Sequence, residues 1–215
     1  MSSEEILREV AVEVSTCAQC DLCKGRTHAV PGEGSSTAKI LFIGEGPGFH
    51  EDKQGRPFVG PSGQFLAELL QSINLRREDV FITNVVKCRP PENRDPLPAE
   101  IEACSDYLNR QIAALRPLLI VTLGRFSMAK FFAGEKISVI HGRARQVNGQ
   151  ICIPMFHPAA GLRNPETKEA LRRDFKKIPI VLAEAERRAA SPDKAAISTS
   201  PTKKEDEPPQ QMSLF

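Results

Sequence analysis

The chain predicts an α/β fold, a three-layer sandwich around a central, mainly parallel sheet. Three observations carry this. Short apolar runs alternate with amphipathic segments along most of the chain, as strands alternate with helices in layered α/β proteins. The first run, Lys39-Ile-Leu-Phe-Ile43, ends directly in glycines, as a buried strand entering a loop does. Asn148-Gly149 sits between two strand-like stretches, and Asn-Gly is a favoured two-residue hairpin turn.

Taken in order, Glu4 to Thr16 has helical spacing, with Ile6, Val10 and Val14 on one face. A cysteine-rich loop runs from Cys17 to Gly34. After the first strand, Ser62 to Leu75 is expected to be helical, and Val80 to Thr83 to be a second strand. Pro98 to Leu115 reads as a helix with proline in its first turn. Leu118 to Leu123 reads as a third strand, Arg125 to Phe132 as a short helix, and Ser138 to Met155 as a hairpin. Lys168 to Arg188 is expected to be one helix, kinked or broken at Pro179. The folded domain is thus placed at residues 1–189. Residues 190–210 are rich in Ser, Pro, Lys, Asp and Glu without apolar period, which predicts a disordered linker. Residues 211–215, QMSLF, return abruptly to apolar side chains.

The 215 residues carry 29 Lys plus Arg against 27 Asp plus Glu, a net charge of +2. So even a balance leaves room for a local basic patch that binds nucleic acid. No apolar run reaches the length of a membrane span, and the acidic start MSSEEILREV lacks a signal-like apolar core. A cytosolic protein is expected, in which thiols stay reduced.

The six cysteines then need another reason. Cys17, Cys20 and Cys23 crowd one loop, while Cys88 and Cys104 stand at the edges of predicted elements. Four thiolates closing one site suit either structural zinc or an iron–sulfur cluster. Spacing alone does not choose between the metals. Cys152, in an apolar strand, reads as an ordinary buried residue.

Gly44-Glu-Gly-Pro-Gly48 follows the first strand at the end where α/β folds bind ligands. It lacks the Gly-Lys-Ser/Thr ending of a phosphate loop, and Pro47 breaks the dinucleotide fingerprint. Glu51 to Gly60 extends this loop with Phe58, and two further strand ends add Asn84 and His157 to Glu45. A carboxylate, a flat ring, an amide and an imidazole on one rim can bind a planar polar ring such as a nucleobase. His28, His50 and His141 are expected to be surface or hydrogen-bonded histidines.

Three segments, GEGPGFHEDKQGRPFVG, TNVVKCRPPENRDPLP and FHPAAGLRNP, together with the upstream CxxC, closely resemble the family four uracil-DNA glycosylases. The resemblance spans Cys17 to Pro165. It implies a uracil-DNA glycosylase-like fold and a repair enzyme that flips uracil out of DNA and hydrolyses its N-glycosidic bond, leaving an abasic site. Phe58 would stack on uracil, Asn84 would read its N3–H and O4, and His157 would donate to O2 as charge develops there. Gly46 would line the base pocket. Glu45, or else Glu51, would position the attacking water. Ser62 and Gly63 would offer helix N–H groups to a phosphate, Leu162 would wedge into the emptied stack, and Arg163 would contact a phosphate.

The resemblance also implies a structural [4Fe–4S] cluster on Cys17, Cys20, Cys88 and Cys104, with Cys23 as a rival to Cys17. QMSLF resembles the peptide by which bacterial DNA enzymes bind the replication sliding clamp, through Gln211, Met212, Leu214 and Phe215. A bacterial, monomeric enzyme working on the nucleoid is expected. The runner-up readings are a non-catalytic iron–sulfur DNA-binding protein and a glycosylase for another deaminated base.

Overall fold

The computed structural model describes residues 1–190; Ala190, expected to open the linker, ends the last helix, and the rest of that stretch and QMSLF lie outside the described residues. The chain runs α1 (Ser3–Thr16), β1 (Glu33–Gly34), β2 (Ile40–Gly44), α2 (Phe49–Gln54), α3 (Pro61–Gln71), β3 (Phe81–Asn84), α4 (Pro98–Leu115) and β4 (Leu119–Leu123). It continues with α5 (Arg125–Ala129), α6 (Ile137–Ile140), β5 (Arg145–Val147), β6 (Gln150–Met155), α7 (Pro158–Arg163), α8 (Pro165–Phe175) and α9 (Ile178–Ala190). The sheet order is β1-β3-β2-β4-β6-β5, with β3, β2, β4 and β6 parallel and the two edge strands antiparallel.

The three layers follow from side-chain alternation in the fully buried strands. Ile40 and Phe42 of β2 face a core built with Phe65, Leu66, Leu69 and Leu70 of α3 and Leu171 and Phe175 of α8. Leu41 and Ile43 face the opposite core, with Leu108 and Leu115 of α4, Met128 of α5 and Ile140 of α6. A third cluster joins Val10 and Val14 of α1 to Leu22, Val86, Cys88, Cys104 and Tyr107. Arg110 of α4 grips Glu13 of α1 through two nitrogens, at 2.6 and 2.8 Å.

The predicted strands and long helices are present, and α4 has the expected bounds. The hairpin closes at Asn148 (φ 49°) and Gly149 (φ 81°), the left-handed pair such a turn needs. Its expected first half begins instead with the single-turn helix α6. The last helix is two helices, because Pro179 stands in the first turn of α9, where a missing N–H costs nothing. The short helices α2 and α7 had no legible period at six residues each. Among the described residues, no helix is long and apolar enough to cross a membrane.

From β2 the chain first moves to β3 on one side and then crosses to β4 on the other. The carboxyl ends beside this reversal are where open α/β sheets hold ligands.

Candidate active site and cysteine site

A cleft of about 400 Å³ opens at those strand ends. Glu45, Gly46, Glu51, Phe58, Ser62, Asn84, His157 and Arg163 all line it. The expected residues are therefore brought together from five separate segments. Leu162 stands nearby on α7 with 47% exposure, too exposed for a core residue. Gly63 is different. It is buried, and a Cβ there would stand 1.9 Å from the Phe58 carbonyl oxygen, so its lack of a side chain lets α3 pack against the Phe58 backbone. Gly63 thus has a packing role beside the phosphate contact expected of its N–H, and Ser62 is the member of the pair that lines the cleft.

Asn84 ends β3 and is 1% exposed. Its Oδ1 is buried without a hydrogen-bond partner. Such an orphan acceptor costs about 1–3 kcal/mol, which a bound donor would recover. Gly44, its register partner on β2, leaves the space that the carboxamide and the Phe58 ring occupy.

Phe58 holds a left-handed backbone, φ 52°, unusual for an aromatic residue. Two devices hold it there. Arg77 donates to the carbonyls of Pro57 (2.7 Å) and Phe58 (2.8 Å) and pairs with Glu33 at 2.5 Å. Glu51 accepts from the main-chain N–H groups of Val59 (2.9 Å), Gly60 (2.8 Å) and Gly48 (3.2 Å). Both Glu51 oxygens are thus engaged in tying the glycine loop to the Phe58 loop. This is the geometry of a positioning group.

Glu45 follows β2. Its Oε1 accepts from the Phe126 N–H at 3.0 Å, and Gly124 (φ 100°) makes room for the carboxylate. Burial raises its pKa, against backbone N–H donors from α5. Oε2 is left to accept from another donor.

His157 caps α7, its Nδ1 accepting from the Ala159 N–H at 3.1 Å. Burial pushes its pKa down to about 4, with Glu51 opposing and Arg163 assisting. The ring is therefore neutral near pH 7, and with Nδ1 an acceptor its proton resides on Nε2. The ring stacks near that of Phe58, centroids 5.5 Å apart and planes 25° from parallel.

Sequence reasoning missed the far wall of the cleft, formed by Pro90, Asn93, Arg94, Asp95 and Pro96. Arg94 is fixed by Glu100 at 2.7 and 2.9 Å, and Asp95 pairs with Arg125. It also missed Lys87, whose charge in an otherwise apolar run was the available signal. Burial pulls Lys87 down to about 7, with the Cys104 sulfur opposing. His28 and His141 are hydrogen-bonded, as expected: His28 to the Asp52 carbonyl at 3.1 Å and His141 to the Asp174 carboxylate at 2.6 Å.

Cys17, Cys20, Cys23, Cys88 and Cys104 line a second cavity, with Val14, Leu22, Val86 and Tyr107 among its other walls. Arg26 donates to Cys88 Sγ at 3.2 Å and the Lys87 N–H to Cys104 Sγ at 3.3 Å, as donors to thiolates do. Burial raises Cys20 and Cys88 and pushes Cys104 up to about 11, so a cationic centre would be needed to hold them as thiolates. Cys17 acts electrostatically on Cys20, Cys88 and Cys104, and Cys23 on Cys20. Cys17 and Cys20 also pack against the apolar cluster holding Cys88 and Cys104, whereas Cys23 sits in the turn Asp21–Lys24. A convergent thiol set in a mostly apolar pocket fits an iron–sulfur cluster. Among the described residues, no three His, Cys, Asp or Glu are set to hold a single metal ion.

The family model for the uracil DNA glycosylase superfamily matches residues 31–178. A type-4 uracil-DNA glycosylase of Archaeoglobus fulgidus is 49% identical over 183 residues, covering 81% of this chain and 92% of its own. One from Thermotoga maritima is 47% identical over 164 residues, covering 75% and 85%. A type-5 uracil-DNA glycosylase of Thermus thermophilus is 35% identical over only 119 residues, covering 48% and 54%. With the cleft, the cysteine site and these likenesses in agreement, the chain belongs to the uracil DNA glycosylase superfamily, among its type-4 uracil-DNA glycosylases.

Proposed function

We propose that the protein removes uracil from DNA by hydrolysing the N-glycosidic bond, releasing the base and leaving an abasic site for repair. The observation that carries this is the buried, unpartnered Oδ1 of Asn84 beside the Phe58 ring. A flipped uracil gives Oδ1 its missing donor through N3–H, while the Asn84 NH₂ donates to O4. Cytosine presents the reverse pattern and leaves both groups unpaired, at roughly 1–3 kcal/mol each. Phe58 offers a face to the base, worth about 1–3 kcal/mol and indifferent to its identity.

As the bond to the sugar stretches, its electron pair moves into the uracil ring and onto O2. The neutral His157 donates Nε2–H to that oxygen, and its N-cap bond from Ala159 holds the ring for the task. Water then adds to the cationic sugar carbon and loses a proton, which balances the negative charge of the departing uracil and yields the neutral base. Glu45 is the group assigned to orient that water through Oε2, its Oε1 being held by Phe126. Glu51 is assigned to positioning Phe58. Gly46 keeps the loop thin over Val86, whose side chain a Cβ would meet at 2.8 Å. Ser62 and Arg163 at the cleft and exposed Leu162 are assigned to DNA, as phosphate contacts and wedge respectively.

Cys17, Cys20, Cys88 and Cys104 are assigned to a [4Fe–4S] cluster, which when bound cross-links segments far apart in the chain. The peptide Gln211, Met212, Leu214 and Phe215 is assigned to a sliding clamp. Some twenty linker residues would span roughly 25 Å if flexible, enough to raise the local concentration of enzyme at DNA.

Alkali-revealed strand cleavage of single-stranded and U·G oligonucleotides, with Asn84→Ala alongside, tests the activity. Release by wild type that collapses in the variant is expected; no release from either DNA by cluster-loaded protein overturns the reading. Removal of residues 211–215 is expected to abolish clamp binding and spare excision.

A further inference from the structure

Lys87 is 1% exposed and performs none of the steps above. A lysine ammonium has three N–H donors. Here three oxygens receive them: Thr83 Oγ1 at 2.5 Å, Gln111 Oε1 at 2.7 Å and the main-chain carbonyl of Asn84 at 2.8 Å. None of the three is a carboxylate, so no carboxylate ion pair explains why a lysine is buried here. The three oxygens are neutral dipoles, and beyond them the Cys104 sulfur favours the charged form against the cost of desolvation.

The sheet explains what the third bond does. Val85 N–H donates to the Gly44 carbonyl, so this side of β3 is joined to β2. The carbonyl of Asn84 belongs to the other side, toward β1. There β1 pairs only Gly34 with Phe81 and Glu33 with Ile82. Continuing that register by two residues brings Pro31 opposite Asn84, and proline has no N–H to give. Lys87 Nζ takes the place of the missing ladder donor.

The lysine is itself held firmly. Gln111 donates to the Pro31 carbonyl at 2.7 Å, Val30 N–H donates to the Lys87 carbonyl at 2.8 Å, and the Lys87 N–H donates to Cys104 Sγ at 3.3 Å. One residue thus touches the cysteine site through its main chain and the base pocket through its side chain. We infer that Lys87 is a positioning residue for base reading: it replaces the absent strand partner of Asn84 and so sets the orientation of the carboxamide above it. The inference rests on Asn84 being the group that reads uracil.

The test is a double-mutant cycle between Lys87→Met and Asn84→Ala in cluster-loaded full-length enzyme, matched by visible absorbance and melting temperature. Lys87→Met is expected to slow single-turnover excision at saturating DNA about tenfold or more, with DNA affinity changed less than about threefold. In the Asn84→Ala background the same substitution is expected to cost less than about threefold, because the group it acts through is gone. Losses that multiply in the double variant, or a Lys87→Met enzyme as fast as wild type, overturn the inference. An unimpaired Asn84→Ala enzyme instead refutes the Asn84 reading, and this inference with it. If Lys87→Met does not fold, Gln111→Leu, which loosens Lys87 on the side away from Asn84, goes through the same cycle with the same criteria.

Discussion

Gly44 and Asn84 are register partners on adjacent parallel strands, and a Cβ at Gly44 would stand 2.3 Å from Asn84 Oδ1. The same Cβ would stand 2.7 Å from two carbons of the Phe58 ring. One missing methyl group therefore shapes both the polar edge and the flat face of the base pocket. Gly44→Ala is expected to push Asn84 and Phe58 out of place and to lower single-turnover uracil excision by about 100-fold or more, with overpacking destabilising the fold by only about 1–3 kcal/mol. Excision rate and melting temperature measured together check this; an active Gly44→Ala enzyme would show that the pocket has slack.

Gly63 permits a different approach, of α3 onto the Phe58 backbone. The obstructing atoms at 1.9 and 2.1 Å are main-chain oxygen and carbon, which cannot swing aside as a side chain can. Gly63→Ala is expected to destabilise the protein by about 2 kcal/mol or more. Ser62→Ala, one residue earlier, is expected to stay within about 0.5 kcal/mol of wild type and to alter DNA affinity alone. Denaturant midpoints for the two variants separate packing from contact.

His157 makes a pH prediction whose sign is definite. Its pKa is pushed down to about 4 from an ordinary value of 6.5. Between these values the unfolded chain takes up a proton that the folded protein refuses. Stability should therefore fall as pH drops from about 6.5 toward 4, by at most about 3 kcal/mol from this group. Above 6.5 both states are neutral and the contribution vanishes. His157→Asn should flatten this part of the stability curve while lowering excision. An unaltered slope in the variant would mean that another group refuses the proton.

The cysteine site yields a paired prediction. Cys17 acts on Cys20, Cys88 and Cys104, whereas among the cysteines Cys23 acts on Cys20 and sits in a turn outside the packed apolar cluster. Cys23→Ser is expected to keep the visible absorbance of an iron–sulfur cluster, and Cys17→Ser to lose it. The reverse result would exchange their roles. Loss of the cluster should also weaken the attachment of α1, since the cysteines share one apolar cluster with Val10 and Val14. Limited proteolysis near residues 17–26 would detect that loosening.

Much of the fold was legible because strand and helix periods are local properties. The runs at 40–44, 81–84 and 119–123 are buried throughout and apolar apart from Thr83, Asn84 and Thr122, as strands covered on both faces largely must be. Proline placed the start of α4. The ambiguous stretches were those too short to show a period, α2, α6 and α7. Pro179 was legible as an interruption but not as the first turn of a new helix, because the same residue serves both purposes.

The sequence by itself determined the inventory: which strand ends carry Glu45, Asn84 and His157, which loop carries Phe58, which loop carries three cysteines, and which tail resembles a clamp peptide. These are statements about residue type and spacing. Tertiary structure alone decided how the inventory is used. It spent both oxygens of Glu51 on backbone N–H groups, gave Gly63 to packing, and left Asn84 Oδ1 without a partner. It also set Lys87 where a proline leaves a strand carbonyl unserved. The physical reason is that hydrogen bonding and desolvation depend on atoms within a few ångströms, and those atoms come from segments tens of residues apart that only the folded sheet brings together.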